Sequence, residues 1–298
     1  MLSPEAHAAY EKAGHICSEA RAYGVGLIKV GASNLAVSQA VDAKIIELGG
    51  KPAFPTQISC NHIAAHFCPD PGDHTVFAEG DLCKLDLGVH VNGYIADTAI
   101  SVDLSADKRH ASLIAASREA CDEALKIAVP GTELRAIGKV IADTIRKHGF
   151  QPIINLGGHG LSHYGLHEHP SVPNYDNADT TVLEEGMVIA IEPFATDGIG
   201  SVREAHAGNI YSHLGKKPVR NPYARAVQDE LARFEGLPFT THQLKTPHKQ
   251  AEMGIRELLA AGALDAHPPL IESKKGMVSQ HEHSVIVGAK PFVYTKYV

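Results

Sequence analysis

The sequence predicts an α+β fold in which two related halves, each a helix pair followed by strands, share one sheet. Three observations predict it. Residues 84–99, Lys-Leu-Asp-Leu-Gly-Val-His-Val-Asn-Gly-Tyr-Ile-Ala-Asp-Thr-Ala, read as a β-hairpin turning at Asn92-Gly93, because a type I′ turn needs positive φ at both central residues. Two helical segments precede this hairpin, and two more precede a second polar block at residues 155–192. Two apolar strands carry an acid at one end, residues 187–192 and 282–287, and supply further members of the sheet.

In chain order, Ser3-Pro4-Glu5 starts a helix with a capping hydroxyl, a first-turn proline and an acid; the helix runs to about Tyr23 and Gly24 ends it. Ser33 begins a second helix, to about Leu48, stopped by Gly49-Gly50. Residues 51–83 are rich in loops, with short extended pieces near residues 57–59 and 75–77. Beyond the hairpin a helix runs from Asp107 to about Ala128 and ends at Pro130-Gly131, and Thr132 caps another that reaches Lys147. Roughly 90 residues separate the last two strands, far more than a connection needs. Residues 223–234 and 249–261 in that stretch have helical apolar spacing. Residues 200–272 are therefore expected to form an inserted helical subdomain of a single domain spanning residues 1–298.

Composition narrows the function classes. Of 298 residues, 44% are hydrophobic and 20% charged, which is globular composition. A net charge of −7 argues against nucleic acid as the main partner. No apolar run approaches a membrane span, and Met-Leu-Ser-Pro-Glu lacks a signal region, so a cytoplasmic protein is expected. Cysteines 17, 60, 68, 83 and 121, with no C-x-x-C pair, read as reduced, mostly structural thiols.

The hairpin carries the first functional signal. With Asn92-Gly93 as its loop, Val91 faces Tyr94, Val89 faces Ala96 and Gly88 faces Asp97. Asp86, Gly88 and His90 then share a face with Ile95, Asp97 and Ala99. Asp86 and Asp97 become diagonal neighbours, roughly 7 Å apart, with glycine leaving space above the sheet. Two acids that close repel unless a cation lies between them or one stays protonated. Both hairpin faces are largely apolar, which fits a solvated acidic face poorly. His159 in Asn-Leu-Gly-Gly-His-Gly, Glu192 closing one apolar strand and Glu282 opening another are set in similar surroundings. Taken singly, each also fits an ordinary loop or strand-end role. Together, four carboxylates and one imidazole suit hard to borderline divalent ions (Mn, Fe, Co, Zn). Two such ions with a bridging hydroxide bring the charge near neutrality.

Lys-Leu-Asp-Leu-Gly, Ile-Ala-Asp-Thr-Ala, Gly-Gly-His, Leu-His, Ile-Glu-Pro-Phe-Ala-Thr and Gln-His-Glu-His together resemble the methionine aminopeptidases, in that family's order and over nearly the full length. The insertion between the last two acids resembles the type II branch, and the short N-terminus its archaeal form. The resemblance implies the pita-bread (creatinase/aminopeptidase-like) fold, two divalent ions and removal of N-terminal methionine. It implies that Asp86 chelates one metal, that Asp97 and Glu282 bridge both, and that His159 and Glu192 bind the other. His66, in Asn-His-Ile-Ala-Ala-His, matches a substrate-facing histidine; a core position at a helix start is its structural alternative. His167 matches the histidine that meets the substrate carbonyl. Phe54 matches a wall of the methionine pocket, to which Leu166 and Phe194 add. Glu192 is the expected proton shuttle. Peptide and nascent-protein N-termini are the implied partners, with the ribosome as the place where such chains emerge.

The sequence departs from the family at Glu168-His169-Pro170, where His169 competes with His167, and at His281 and Gly157. His90 has no role in the matched pattern. Two other readings share part of these features: a prolidase or aminopeptidase P on the same fold, and a non-catalytic binding module.

Overall fold

The computed structural model describes residues 2–205 and 208–297. Ser3 caps α1, Pro4–Leu27, by accepting from the Ala6 N–H. Ser33 caps α2, Asn34–Glu47, in the same way through Ala36. Gly24 does not end α1 as expected. A Cβ there would lie 2.7 Å from Leu85 and 2.8 Å from Val41, so the bare glycine lets the helix continue while α2 and the sheet close on it. Short strands β1 (Lys51–Pro52), β2 (Gln57–Cys60) and β3 (Ile63–Ala65) follow. The expected extended piece near residues 75–77 is only an isolated bridge between Ser33 and Val76.

The hairpin is β4, Leu82–Val91, and β5, Tyr94–Asp103. Val91 pairs with Tyr94, Val89 with Ala96 and Gly88 with Asp97. Asn92 and Gly93 have φ of 51° and 86°, as the type I′ turn requires. The next helix, α3, is Ala111–Lys126, later than Asp107. Residues 103–110 instead form a turn, in which Asp103 accepts from Ser105 and from the His110 N–H. Asx chemistry there competes with helix formation. α4, Leu134–Lys147, has Glu133 rather than Thr132 at its N-cap position.

The second half repeats the order with β6 (Gln151–Pro152), β7 (Gly157–Ser162) and β8 (Gly165–Pro173), then β9 (Val188–Ile191) and β10 (Phe194–Thr196). Residues 200–272 differ from the helical expectation. They hold β11 (Val202–Glu204), β12 (Ile210–His213), α5 (Pro222–Glu230), α6 (His248–Ala260), β13 (Leu264–His267) and β14 (Leu270–Glu272). The helices gather their own core around Val227, Phe239, Ile255 and Leu258. β14 pairs with β11 and β3, which ties the segment to the first half of the chain. Strands of three or four residues carry too short an alternation to stand out in sequence.

The chain closes with β15 (Val278–Gln280), β16 (Glu282–Ile286) and β17 (Phe292–Val293). The main sheet runs β1-β4-β5-β16-β9-β7-β8, with β2 on β4 and β17 on β16, and the pairings are antiparallel. β16 joins the halves through β5 and β9. One face of the first half packs α1 and α2 on Leu85, Leu87 and Val89, each fully buried. The second half packs α3 and α4 on Ile189, Ile191 and Val285. Each such side chain contributes about 1.5–3 kcal/mol, so the helix-covered face is a rigid support and the opposite face is left for polar residues. No described helix is long and apolar enough to cross a membrane.

Candidate metal centre

β4 carries Asp86, β5 Asp97, β7 His159 and β16 Glu282, while Glu192 follows the last residue of β9. Register aligns them. Asp86 and Glu282 both pair with Ala99, from opposite sides of β5, and Asp97 lies two residues along β5 on the same face. His283 pairs with Ile191, which brings Glu192 beside Glu282. Donor atoms of Asp97, His159 and Glu282 lie within 4.8 Å of one another. His159 Nε2 is 3.7 Å from Asp97 Oδ2 and 3.6 Å from Glu192 Oε1. Gln280, to which the sequence reading assigned no role, links the rest. Its Nε2 lies 3.4 Å from Asp86 Oδ2, 3.3 Å from Glu192 Oε2 and 3.4 Å from Glu282 Oε2. Ser284 Oγ fixes the Asp97 backbone, accepting from its N–H at 2.9 Å and donating to its carbonyl at 2.8 Å.

The electrostatics are unfavourable without a cation. Asp97 and Glu282 are buried, and Asp86 and Glu192 are half-buried at the cleft surface. Burial raises the Asp86 carboxyl to about 7. Burial, then the neighbouring acids, holds Asp97, Glu192 and Glu282 well above the ordinary carboxylate range. His159 is pushed down to about 3 by burial and by His167, so it offers a lone pair rather than a compensating charge. Asp86 Oδ1 and Asp97 Oδ1 are buried with no hydrogen-bond partner. Orphaned buried carboxylate oxygens are costly. Crowded acids, orphan oxygens and one neutral imidazole fit a divalent cation.

A cleft of about 580 Å³ opens over this floor, a volume suited to a small ligand. His66 is not at a helix start: it follows β3 with φ of 63°, and its N–H donates to Gln57 Oε1 at 2.8 Å. That left-handed conformation is uncommon for a residue with a Cβ, and it places the ring on the cleft wall. Burial, then His167 and His267, lowers His66 to about 4. His167, on β8, meets His159 edge-on with ring centroids 4.6 Å apart. Glu168 and His169 lie on the exposed rim of the same cleft. His267, at the end of β13, also lines the cleft, 6.2 Å from His66 by ring centroids. Nothing in Ala-His-Pro-Pro marks it; only the β13–β14 segment's return to β3 brings it there.

Phe54, Leu166 and Phe194 line the cleft. Gly88 does not leave open space between the acids, as the sequence suggested. A Cβ on it would meet Phe54 Cε1 at 2.3 Å, so the glycine makes room for that ring. The glycines around His159 likewise serve strand packing, since a Cβ on Gly158 would stand 2.0 Å from the Ala190 carbonyl oxygen. His90 caps the hairpin turn, its Nδ1 accepting from the Gly93 N–H at 3.2 Å. His281 is buried beside His283 and away from the cleft lining. Gly157 does line it.

The sequence matches the metallopeptidase family M24 over residues 8–216, and the chain belongs to that family. Within it, the methionine aminopeptidase of Thermococcus onnurineus is 45% identical over 280 residues, covering 93% of this chain and 94% of that one. The methionine aminopeptidase of Archaeoglobus fulgidus is 44% identical over 277 residues, covering 93% of each. The crystal structure of methionine aminopeptidase from Thermotoga maritima superposes with a TM-score of 0.73 at 22% identity, covering 99% of this chain and 98% of that one. That likeness is one of fold, and the fold is the pita-bread arrangement that the sequence resemblance implied.

Proposed function

We propose that this chain is a type II methionine aminopeptidase that removes the N-terminal methionine from peptides and nascent proteins. The observation that carries the reading is the convergence of four acids and one imidazole, from four strands and the end of a fifth, on the floor of a cleft walled by histidines and Phe54. Two divalent ions are the proposed complement. Asp86 would hold one, His159 and Glu192 the other, and Asp97 and Glu282 both. Bound there, the ions would acidify a water and polarise the scissile carbonyl.

The protein's own groups do the rest. Glu192 stands at the edge of the acid cluster, half-buried and facing the cleft, where it can take the proton of the attacking water and pass it to the leaving amine. His66 and His167 are neutral near pH 7 because the crowded cleft disfavours their charged forms. Each then donates one N–H, and these donors suit the substrate carbonyl and the oxyanion that develops from it. The free amino terminus, as the neutral amine, would be held by one of the ions and by Asp97. Phe54 and its neighbours accept the thioether by apolar and sulfur–aromatic contact.

Release of methionine from Met-Ala-Ser, compared with cleavage of Ala-Pro-Ala under identical metal loading, tests the reading. Strong preference for Met-Ala-Ser is expected; preference for Ala-Pro-Ala would replace the proposal with a prolidase-type activity. The Phe54 wall has its own test. Gly88→Ala must push the Phe54 ring out of place, so KM for Met-Ala-Ser should rise roughly tenfold, about 1.4 kcal/mol, with metal content unchanged. An unaltered KM would remove Phe54 from the pocket.

A further inference from the structure

A second cluster lies outside the acid floor. Cys60 on β2 and Cys83 on β4 are direct cross-strand partners, and their sulfurs are 3.4 Å apart. The Asn61 N–H donates to the Leu82 carbonyl at 2.8 Å, so the adjoining pair is hydrogen-bonded. Cys60 and Cys83 therefore occupy a non-hydrogen-bonded position, where paired Cα atoms approach to about 4.5 Å. A disulfide accepts Cα separations of roughly 4.4–6.8 Å. Cys60 is half-buried and Cys83 fully buried, so one sulfur is reachable and the other waits behind it. Asp81 is close to both sulfurs. Its oxygens are already committed, to Asn61 Nδ2 at 2.8 Å and to the Ala78 N–H at 2.7 Å. That arrangement favours a dithiol over a metal site.

The geometry points to a redox modification site: a hydroperoxide converts Cys60 and Cys83 into a cross-strand disulfide, and that bond slows the neighbouring cleft. The Cys60 thiolate attacks the peroxide, forming an S–O bond and breaking the O–O bond, and the leaving oxygen takes a proton. Cys83 then attacks the Cys60 sulfur, the S–S bond forms, and the S–O bond breaks with loss of water. Two thiols and one hydroperoxide give one disulfide, one water and one alcohol, or a second water when the oxidant is hydrogen peroxide. The hydrogen bond with Cys83 and the charge of Lys84 favour the thiolate of Cys60, which suits it as the attacking sulfur. Cys17, Cys68 and Cys121 are buried, and burial raises each of them.

The cleft is coupled to this pair by the ladder. Three residues on from Cys60↔Cys83, the same register pairs Gln57 with Asp86, and both line the cleft. Gln57 also holds the His66 backbone. Closing the sulfurs from 3.4 Å to about 2.05 Å locks the spacing and twist of β2 and β4 at this end, and the ladder carries that constraint to Gln57 and Asp86.

The test uses zinc-loaded enzyme, whose metal is redox-inert, treated with equimolar hydrogen peroxide and mapped without reductant. One disulfide joining the Cys60 and Cys83 peptides is expected, lower in mass by two hydrogens, with the other three thiols free. Turnover of Met-Ala-Ser should fall several-fold and return with dithiothreitol, while Cys60→Ser forms no disulfide and keeps its turnover through peroxide. Free Cys60 and Cys83 after treatment, or a bond to a different cysteine, would overturn the site. A formed disulfide with unchanged turnover would overturn its coupling to the cleft. The mapping result stands whether or not the aminopeptidase reading does.

Discussion

Asp97→Asn is expected to abolish metal retention and to lower kcat/KM on Met-Ala-Ser by roughly a thousandfold, about 4 kcal/mol of transition-state stabilisation. The same substitution should leave the metal-free protein as stable as wild type or more so. Asp97 is 3% exposed, its Oδ1 has no partner, and Asp86 stands across the sheet from it. Asparagine keeps the shape and removes a carboxyl whose charged form the buried, acid-crowded site disfavours, so the metal-free fold does not lose what the site loses. Metal content by elemental analysis, steady-state kinetics and metal-free melting measure the three effects. Full metal content and turnover in the variant would refute the ligand assignment, and a collapsed fold would refute the electrostatic one.

Removing metal should make stability fall as pH rises above neutrality, and saturating divalent metal should cancel that fall. The four acids have raised carboxyls in the folded chain, Asp86 to about 7 and the others well above the ordinary carboxylate range. The folded chain keeps protons that the unfolded chain releases near pH 4. That contribution is complete below the unfolded value and is lost as pH rises through the folded one. The histidines act in the opposite direction. His159 and His66 are lowered from 6.5 to about 3 and about 4, so their contribution is present above 6.5 and is lost as pH falls toward those values. Between about pH 4 and 6.5 the two groups largely offset each other; above that the acids carry the change until Lys84, lowered to about 8 by burial, begins to lose its proton and acts the other way. Metal-free melting temperature should therefore drop as pH rises from about 6.5 through 7, where Asp86 ionises, toward 8. With metal bound, the ionised acids are the stable form and the drop disappears. A metal-free melting temperature that rises over that window would contradict the burial of the acid cluster.

Much of the floor was legible because β-hairpin chemistry fixes register. Asn92-Gly93 sets the turn, the turn sets every pair of β4 and β5, and the alternation puts Asp86 and Asp97 on one face. His159, Glu192 and Glu282 became recognisable only as a set, since each alone is an ordinary residue in apolar surroundings. Local rules failed where tertiary packing overrode them. Gly24 carries helix because it touches Leu85 and Val41, and Gly88 is filled by Phe54, a ring that local sequence does not place there. A residue brought in by a long connection was invisible, since His267 arrives with β13, and Gln280, quoted with its motif, had no role until its reach to three acids was seen. Cys60 and Cys83 look unrelated in sequence and meet only through the β2–β4 register.

Turnover of Met-Ala-Ser after complete chelation, followed by readdition of Co, Mn, Fe or Zn singly, tests the metal centre most directly. Loss of activity on chelation and recovery with at least one of these ions, in proportion to metal bound up to two per chain, is the expected result. Undiminished release of methionine by metal-free protein, or no recovery with any of the four ions in a chain that remains folded, would contradict it.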